Sequence, residues 1–268
     1  MSEPSSQSVA KVYNEWGKGF DHLVSETPFL MNSYLLYDRL LGELTRGKRF
    51  SRVLDVGCGS GLQSVALAPF ADEVIGIDLS QELIEVAKER CKDHKNVRFE
   101  VANACRLPFP DRSFDFIISY GDVLSHIVDR YEEAVSEMGR VAKPGATLTL
   151  ETDTKWNFGV FYHPFEIIDA LRVRGKGHAT RIWEGMRFKT FTYRELKSLL
   201  EKNGFEVLSV RGHNILASLI PDPYLLEKGK RTPVGRLALR LGKVDLALSG
   251  LPLFRRFGFN FVVTARKK

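Results

Sequence analysis

A glycine-rich turn between an apolar run and a helix is the feature of this sequence with the clearest chemical meaning. Residues 53–56 form a short run rich in β-branched side chains, typical of a buried parallel strand. Gly57, Gly59 and Gly61 follow, and a helical pattern begins at Leu62. Glycine lets the backbone approach a ligand closely, and the start of a helix offers unpaired N–H groups. The pattern predicts a cradle for a nucleotide-like cofactor.

A second apolar run, residues 73–77, ends at the acidic residue Asp78. In dinucleotide-binding folds, a carboxylate at this place accepts hydrogen bonds from both hydroxyls of a ribose. Asp55 lies 23 positions before Asp78, close to the separation of roughly 20 that a strand–helix–strand unit imposes. The two runs therefore predict a ribose-binding carboxylate beside the glycine turn.

The elements that must position this turn alternate between strands and helices. Strands are predicted at 53–56, 73–78, 97–101, 114–119, 146–151, 205–210 and 259–265, and helices at 8–24, 31–44, 62–69, 81–93, 129–142 and 193–203. Such alternation predicts a doubly wound α/β sheet that binds ligands at the carboxyl ends of its strands. Residues 179–184 and 187–192, on either side of Gly185 and Met186, also predict a hairpin.

The segment Asp-Val-Gly-Cys-Gly-Ser-Gly at 55–61 resembles the first motif of class I S-adenosylmethionine (SAM)-dependent methyltransferases. Its G-x-G-x-G spacing differs from the G-x-G-x-x-G of nicotinamide-dependent oxidoreductases. Matches to the family's later motifs follow in order: Ile-Asp-Leu-Ser at 77–80, Asn-Ala at 103–104 ahead of Leu-Pro-Phe-Pro-Asp-Arg-Ser-Phe-Asp at 107–115, and Arg-Val-Ala-Lys-Pro-Gly-Ala at 140–146. Each match alone is weak, whereas the ordered set, which covers residues 51–151, is specific.

The resemblance implies a single methyltransferase domain over residues 1–268, with a seven-stranded sheet in the order 3-2-1-4-5-7-6 whose last strand is antiparallel. It also implies that SAM is the cofactor. The residues carried over to the cofactor are Tyr13, Asp55, Gly57, Cys58, Gly59, Gly61, Asp78, Leu79, Asn103, Ala104 and Tyr120. Many relatives have aspartate at the position of Asn103, but an amide oxygen can also accept a hydrogen bond from the exocyclic amine of adenine.

Methyl transfer from a sulfonium is an in-line displacement whose thioether leaving group needs no proton. Alignment of the acceptor with the methyl group can therefore supply much of the acceleration. An acceptor with a hydroxyl or a protonated amine would also benefit from a base, and the candidates are Asp122, His126 and His163. Asp122 and His126 follow the fourth strand, where substrates of the family approach. For a lone histidine, a structural hydrogen-bonding role is the competing interpretation. No metal is predicted, since the three cysteines lack metal-ligand spacing.

Four regions are expected along the chain: a helical cover at 1–50, the SAM-binding core at 51–151, an aromatic-rich substrate cap at 152–192, and a basic and apolar helical insertion at 212–258. In the family, an amino-terminal segment lies over the cofactor, so Tyr13, Trp16 and Phe20 are expected either to cover SAM or to pack as ordinary core residues. The aromatic and aliphatic caps favour a small apolar or aromatic acceptor, because such pockets are lined mainly by hydrophobic side chains. The pattern is similar to the small-molecule methyltransferases of the ubiquinone/menaquinone and glycine/sarcosine types.

The net charge of +6 is unevenly distributed, because residues 211–268 hold twelve Lys/Arg and only three Asp/Glu. Such a segment suits nucleic acid, an anionic membrane surface, or simple solvation of the charges. Nucleic acid is not favoured. The Asn/Asp-Pro-Pro-Tyr/Phe signature of nucleobase and protein-amide methyltransferases is absent after the fourth strand, and no RNA-binding module is recognisable. RNA or protein methylation and a non-catalytic SAM-binding regulator stay as alternatives, and peripheral membrane contact is a further hypothesis.

The sequence predicts a cytoplasmic protein. Its amino terminus is polar, and no uncharged run approaches the roughly 18 residues of a membrane span. The three cysteines are odd in number, which is typical of buried thiols in a reducing compartment. The sequence does not indicate an oligomeric state.

Overall fold

A computed structural model describes residues 4–156, 179–183, 186–220 and 229–268. The helices among these residues are α1 (Pro4–Trp16), α2 (Phe20–Glu26), α3 (Pro28–Thr45), α4 (Leu62–Leu67), α5 (Gln81–Arg90), α6 (Val123–His126), α7 (Tyr131–Val141), α8 (Tyr193–Lys202) and α9 (Pro233–Leu248). The strands are β1 (Phe50–Val56), β2 (Ala71–Asp78), β3 (Val97–Val101), β4 (Phe114–Ser119), β5 (Ala142–Asp153), β6 (Ala179–Trp183), β7 (Met186–Thr190), β8 (Phe205–His213) and β9 (Asn260–Lys267).

Seven of these strands form one sheet in the order β3-β2-β1-β4-β5-β9-β8. The first five are parallel, and β9 runs antiparallel to both β5 and β8. Counted within this sheet alone, the order is the predicted 3-2-1-4-5-7-6 with an antiparallel last strand, so the predicted fold is confirmed. Strands β6 and β7 pair separately and antiparallel, as predicted for a hairpin, but Met186, which was expected in the turn, is the first residue of β7 and pairs with Trp183.

The two faces of the sheet bury different apolar side chains, because neighbouring residues of a strand point to opposite faces. Leu54 and Ile117 lie in the core that includes residues of α7 and α8. Val53 and Phe116 lie in the core that includes residues of α3. All four side chains are fully buried. Coverage on both faces explains why consecutive residues of β1 and β4 are buried toward the carboxyl ends of these strands, where an alternating pattern would expose every second one.

The helices that precede β1 differ in detail from the prediction. Residues 8–24 were expected to form one helix, and this expectation was wrong: α1 ends at Trp16, a 3₁₀ turn covers Gly17–Gly19, and α2 begins at Phe20. Gly17 has a φ of +35°, which interrupts an α-helix. The next helix begins at Pro28, which is well suited to a first helical position because its missing N–H has no partner there in any case.

Helix α9 lies within the predicted insertion at 212–258, whereas most of the predicted cap at 152–192 lies outside the described residues. The division of the chain into four regions stays a prediction. Among the helices that the structure describes, none has the length and apolar character needed to cross a membrane.

Candidate cofactor and acceptor site

The glycine turn is tied to the end of the neighbouring strand. The backbone N–H groups of Gly57 and Cys58 both donate to the carbonyl oxygen of Ile77, at 2.8 and 2.9 Å. Gly57 has a φ of +73°, and a Cβ atom placed on it would lie 2.1 Å from Cγ2 of Val123 in α6. Glycine is therefore required at this position twice over, by backbone conformation and by the close approach of α6.

The third glycine of the turn is equally constrained. Gly61 has a φ of +80° and donates its N–H to the Cys58 carbonyl at 2.9 Å. A Cβ atom on Gly61 would lie 2.9 Å from the Phe99 ring of β3. Between these two glycines, Gly59 has a φ of +51°, and a Cβ atom added there would meet only the Phe20 ring within 4 Å. The turn is consequently packed tightly against Val123 at Gly57 and against Phe99 at Gly61, and is more open at Gly59.

Asp78 lies at the carboxyl end of β2, directly beside this turn. Its Oδ2 atom accepts from the Gly59 N–H at 2.9 Å and its Oδ1 atom from the Ser80 N–H at 2.8 Å. Burial raises the pKa of Asp78, although these amide groups oppose the shift. An ionised carboxylate offers about four acceptor positions, so two remain for the hydroxyls of a ribose. Leu79 follows at the start of the turn into α5.

Asp55 lies one strand away and is buried inside the protein. The Ser64 hydroxyl donates to its Oδ2 atom at 2.6 Å. Burial raises the pKa of Asp55 to about 7. A carboxyl group held in this way can bind a hydrogen-bond donor with its other oxygen, which is consistent with the expected position near the methionyl part of SAM.

The two residues expected at the adenine edge follow β3. The Oδ1 atom of Asn103 accepts from the Cys105 N–H at 2.8 Å, so one of its two lone pairs is used within its own turn. Ala104 is buried. The N–H of Ala102 donates to the Asp78 carbonyl at 3.0 Å. This bond joins the adenine-side turn to the strand that carries the ribose-side carboxylate.

Aromatic side chains of the amino-terminal helices lie near the glycine turn. The Tyr13 ring lies edge-on to Trp16, with centroids 5.1 Å apart, and 6.1 Å from Phe20. Phe20 is the ring that approaches Gly59. Phe20 thus lies beside the turn and packs with Tyr13, whereas covering of SAM by these aromatic side chains stays a prediction.

A polar latch holds the same helices in place. The Ser60 hydroxyl donates to the Asp21 carboxylate at 2.7 Å, and the Arg90 guanidinium pairs with the other oxygen of Asp21. Arg90 also donates to the Ser60 carbonyl at 2.8 Å. One step away, the Ser80 hydroxyl donates to the Asn14 side-chain oxygen at 2.6 Å. We call the group Asp21, Ser60 and Arg90 the latch.

His126, at the end of α6, faces the amino-terminal helices. Its Nε2 atom lies 3.2 Å from the Tyr13 hydroxyl oxygen. Burial lowers the pKa of His126 to about 4, so its ring is neutral at pH 7. Its Nδ1 atom is buried and has no hydrogen-bond partner among the described residues. The structure thus brings His126 and Tyr13 together, a contact that the sequence did not predict, and their roles stay predictions.

Three carboxylates gather where β4 and β5 end, of which Glu151 is buried and Asp122 and Asp153 are half-buried. Asn260 donates through Nδ2 to both carboxylate oxygens of Asp122, at 2.8 Å each, and to Asp153 at 3.4 Å. Burial raises the pKa of Asp122 well above its usual range, and the negative charges of Asp153 and Glu151 raise it further. This group of Asp122, Glu151, Asp153 and Asn260 is called the carboxylate cluster below.

Glu151 is the member of this cluster that sequence reasoning missed. Its Oε2 atom accepts from the Tyr37 hydroxyl and from the Gly121 N–H, the latter at 3.0 Å. Its Oε1 atom is buried and has no hydrogen-bond partner within the described part of the chain. Burial raises the pKa of Glu151 to about 7. The available signal was a glutamate inside the otherwise apolar and threonine-rich strand 146–151, where a buried charge needs a reason.

Tyr120, expected beside the sulfonium, follows β4 with its side chain turned toward α3. Its ring stacks on Tyr37 with centroids 4.5 Å apart and planes 14° from parallel. Its hydroxyl lies 3.1 Å from that of Thr149. The ring therefore supports Tyr37, the residue that holds Glu151.

His163 lies outside the described residues, and no cluster of metal ligands occurs within them.

A sequence profile described as "Methyltransferase domain" matches residues 53–145, which contain the glycine turn, Asp78, Asn103 and β4. The demethylmenaquinone methyltransferase of Staphylococcus aureus is 28% identical over 221 residues, which are 78% of this chain and 90% of that protein. The chain carries a methyltransferase domain at residues 53–145 and is similar to the class I SAM-dependent methyltransferases.

Solved structures show the same fold. A protein of Haloferax volcanii in complex with the Trm112 methyltransferase activator superimposes with a TM-score of 0.64, at 18% identity, over 95% of this chain and 96% of its own. A SAM-dependent methyltransferase from Methanosarcina mazei gives a TM-score of 0.55 at 24% identity, over 82% of this chain and 93% of its own.

The site of this methyltransferase fits its cofactor, SAM. The backbone at Gly57 and Gly59 forms a cradle, and a side chain at Gly57 would collide with Val123. Asp78 keeps unused acceptor positions at the place where a ribose is expected. The contacts of the other predicted cofactor residues with SAM stay predictions.

Proposed function

We propose that this methyltransferase transfers the methyl group of SAM to a small apolar or aromatic acceptor that carries an ionisable hydroxyl, as a phenol or hydroquinone does. SAM supplies the methyl group at a sulfonium, and S-adenosylhomocysteine is the second product. Two observations support this acceptor class. The relative in Staphylococcus aureus acts, by its name, on a quinone-type molecule. Aromatic side chains and buried carboxyl groups also occur together in the candidate acceptor site.

The observation that carries the proposal is the Oε1 atom of Glu151, which is buried and has no hydrogen-bond partner among the residues that the structure describes. It belongs to a carboxyl group whose other oxygen is fixed by Tyr37 and Gly121. A hydroxyl of the acceptor that donates to Oε1 would satisfy this atom and also be oriented by it. Leaving the atom without a partner costs about 1–3 kcal/mol, which such a donor recovers.

Glu151 is also better matched to proton transfer than His126. A general base works best when its pKa lies near the operating pH. The pKa of Glu151 is raised to about 7 by burial, whereas burial lowers that of His126 to about 4. We therefore assign Glu151 as the base, and the negative charge of Asp153 raises the pKa of Glu151 further. His126 then positions the Tyr13 ring.

The proton balance of the proposed step is simple. The acceptor O–H bond breaks and the proton passes to Oε1 of Glu151. The acceptor oxygen, or the ring carbon that its charge activates, forms a bond to the methyl carbon. In the second case the methylated ring carbon then loses its own hydrogen as a proton to solvent, and the acceptor oxygen regains a proton, which restores the aromatic ring. The C–S bond breaks with its electron pair on sulfur, so the sulfonium charge is neutralised. Glu151 returns its proton to solvent after the product leaves.

The direct test is transfer of radiolabelled methyl from SAM, first to a purified naphthohydroquinone and then into a host-cell extract. The extract is separated into solvent-soluble molecules, aqueous small molecules, nucleic acid and protein. Label in the hydroquinone or the solvent-soluble fraction supports the proposal. Label in RNA or protein would replace it with the macromolecular alternative. Tight SAM binding without transfer to any fraction would favour a regulatory protein.

A further inference from the structure

The exposed face of α9 places apolar side chains beside basic ones. Leu237 and Val244 are 49% and 48% exposed, and their separation of seven positions puts them on the same side of the helix. Arg236, Arg240 and Lys243 are exposed as well and follow helical spacing. They form a basic row next to the apolar row. These five residues are called the α9 surface.

The opposite face of α9 packs against the rest of the protein. Its small residues Gly235, Ala238 and Gly242 are buried. A Cβ atom on Gly242 would lie 2.1 Å from the side-chain amide carbon of Asn32 in α3, and Nδ2 of Asn32 donates to the Ala238 carbonyl at 3.2 Å. A rotation of α9 that buried Leu237 and Val244 would break this close packing. The α9 surface therefore faces outward in the folded protein.

The acidic residue of α9 does not neutralise its surface. Asp245 is only 4% exposed and accepts hydrogen bonds from the N–H groups of Leu216 and Ala217, at 2.8 and 3.3 Å. The outward face of the helix therefore carries three positive charges and no negative one. Directly after the helix, Leu251 and Leu253 are 46% and 72% exposed, which extends the apolar character of this region.

We propose that the α9 surface docks the protein on an anionic lipid membrane. An interfacial helix combines an apolar row, which enters the headgroup region, with Lys and Arg, which pair with anionic lipids. Both rows of the α9 surface are used in this arrangement. Single-stranded nucleic acid would use the basic row and aromatic stacking partners, but the exposed neighbours on α9 are aliphatic. This proposal concerns binding alone and does not rest on the identity of the methyl acceptor.

The test is co-sedimentation of the full-length protein with vesicles of phosphatidylcholine, with and without an equal part of phosphatidylglycerol. We expect binding to the anionic vesicles and its loss at high salt. The triple variant Arg236→Gln, Arg240→Gln, Lys243→Gln should bind roughly a hundredfold less, since each basic residue near an anionic surface contributes about a fivefold factor. The double variant Leu237→Ser, Val244→Ser should also lose binding, at unchanged charge.

A matched control removes the same charge elsewhere, through Lys88→Gln, Lys92→Gln and Lys197→Gln, and should keep vesicle binding. SAM binding by every variant shows that it is folded. Failure of the wild-type protein to bind either vesicle would overturn the proposal. Equal binding by the wild type and the α9 variants would overturn it too, because contact would then occur elsewhere. RNA retention that depends on the basic row, with no vesicle binding, would identify the surface as a nucleic-acid dock instead.

Discussion

The hydroxyl of Tyr37 donates to the carboxyl group of Glu151, although the two residues lie 114 positions apart in the chain. Helix α3 thereby supplies the group that orients a carboxylate at the end of β5. The Tyr37 ring is held in turn by stacking on Tyr120. A residue of the helical cover, one that follows β4 and one in β5 thus form a single unit at the place where parallel strands of this fold present their ligands.

Glu151→Gln should lower kcat by roughly 10²–10⁴-fold, the usual contribution of a general base. In the wild type, kcat should rise with pH through about 7, because Glu151, whose pKa is raised to about 7, must be ionised to accept a proton. The glutamine variant should lose this rise. SAM affinity, measured by calorimetry, should stay unchanged. A normal kcat in the variant would mean that Glu151 takes no part in the reaction. Weakened SAM binding would mean that Oε1 contacts the cofactor and not the acceptor.

The same residue should make stability depend on pH. Burial raises the folded-state pKa of Glu151 above its ordinary value of 4.5 to about 7. Its contribution to stability is complete below the unfolded pKa and is lost as the pH rises through the folded one. The urea midpoint of the wild type should therefore fall between about pH 5 and pH 8 relative to that of Glu151→Gln. Parallel pH profiles for the two proteins would show that the carboxyl group is not desolvated as the structure indicates.

Gly57→Ala should destabilise the protein and abolish tight SAM binding. The positive φ costs an alanine roughly 1–2 kcal/mol, and overpacking against Val123 adds typically about 1–3 kcal/mol. Gly47→Ala is the matched control, because Gly47 has a similar φ of +67° but nothing within 4 Å of a Cβ atom. In urea unfolding, Gly47→Ala should lower the free energy of unfolding only by the cost of the positive φ. Adding Val123→Ala to Gly57→Ala should restore part of the lost stability, and no restoration would argue against the contact.

Asp78→Ala should weaken SAM binding by about 10- to 100-fold, because hydrogen bonds to a charged group contribute roughly 1.5–3 kcal/mol each. Part of the loss will come from the released N–H groups of Gly59 and Ser80. Asp72→Ala is a suitable control, since Asp72 lies on the same strand and only pairs with Arg49 at the surface. Isothermal calorimetry distinguishes the two variants. Equal affinities would mean that the ribose lies elsewhere.

The sequence predicted the sheet well because short strand segments rich in apolar residues are separated by helical patterns. It also placed Asp78 beside the glycine turn, since one strand–helix–strand unit fixes both. The carboxylate cluster could not be predicted in this way. Its contacts join Asn260 to Asp122, 138 positions away, and no local pattern encodes such a pairing. Glu151 was assigned to a strand but to no function. The hydrophobic pattern predicts the secondary structure of a residue, and it does not predict what a buried polar side chain contacts.

The break after α1 shows a different kind of failure. Apolar residues at helical spacing continue through residues 8–24, so periodicity favoured one long helix. Gly17 and Gly19 were visible in the sequence, but a glycine within a helical pattern weakens a helix only by about 1 kcal/mol. The structure ends α1 at the positive φ of Gly17, and the turn lets α2 bring Asp21 to Ser60 and Arg90. The break between α1 and α2 therefore allows the latch contacts to form.

Breaking the latch should release SAM faster. Phe20 of α2 lies beside Gly59, so we expect the predicted cover to open, and SAM to leave more readily, when Asp21 no longer holds Ser60 and Arg90. The Asp21–Arg90 pair is partly exposed, and such pairs contribute about 0–1 kcal/mol. Asp21→Asn should therefore raise the SAM dissociation rate by up to about fivefold in stopped-flow fluorescence, and added salt should raise the wild-type rate toward the same value. Glu73→Gln, which breaks surface ion pairs with Arg52 and Arg98 away from the cover, should leave the rate unchanged. If both variants change the rate equally, general loss of surface ion pairs and not opening of the cover controls release.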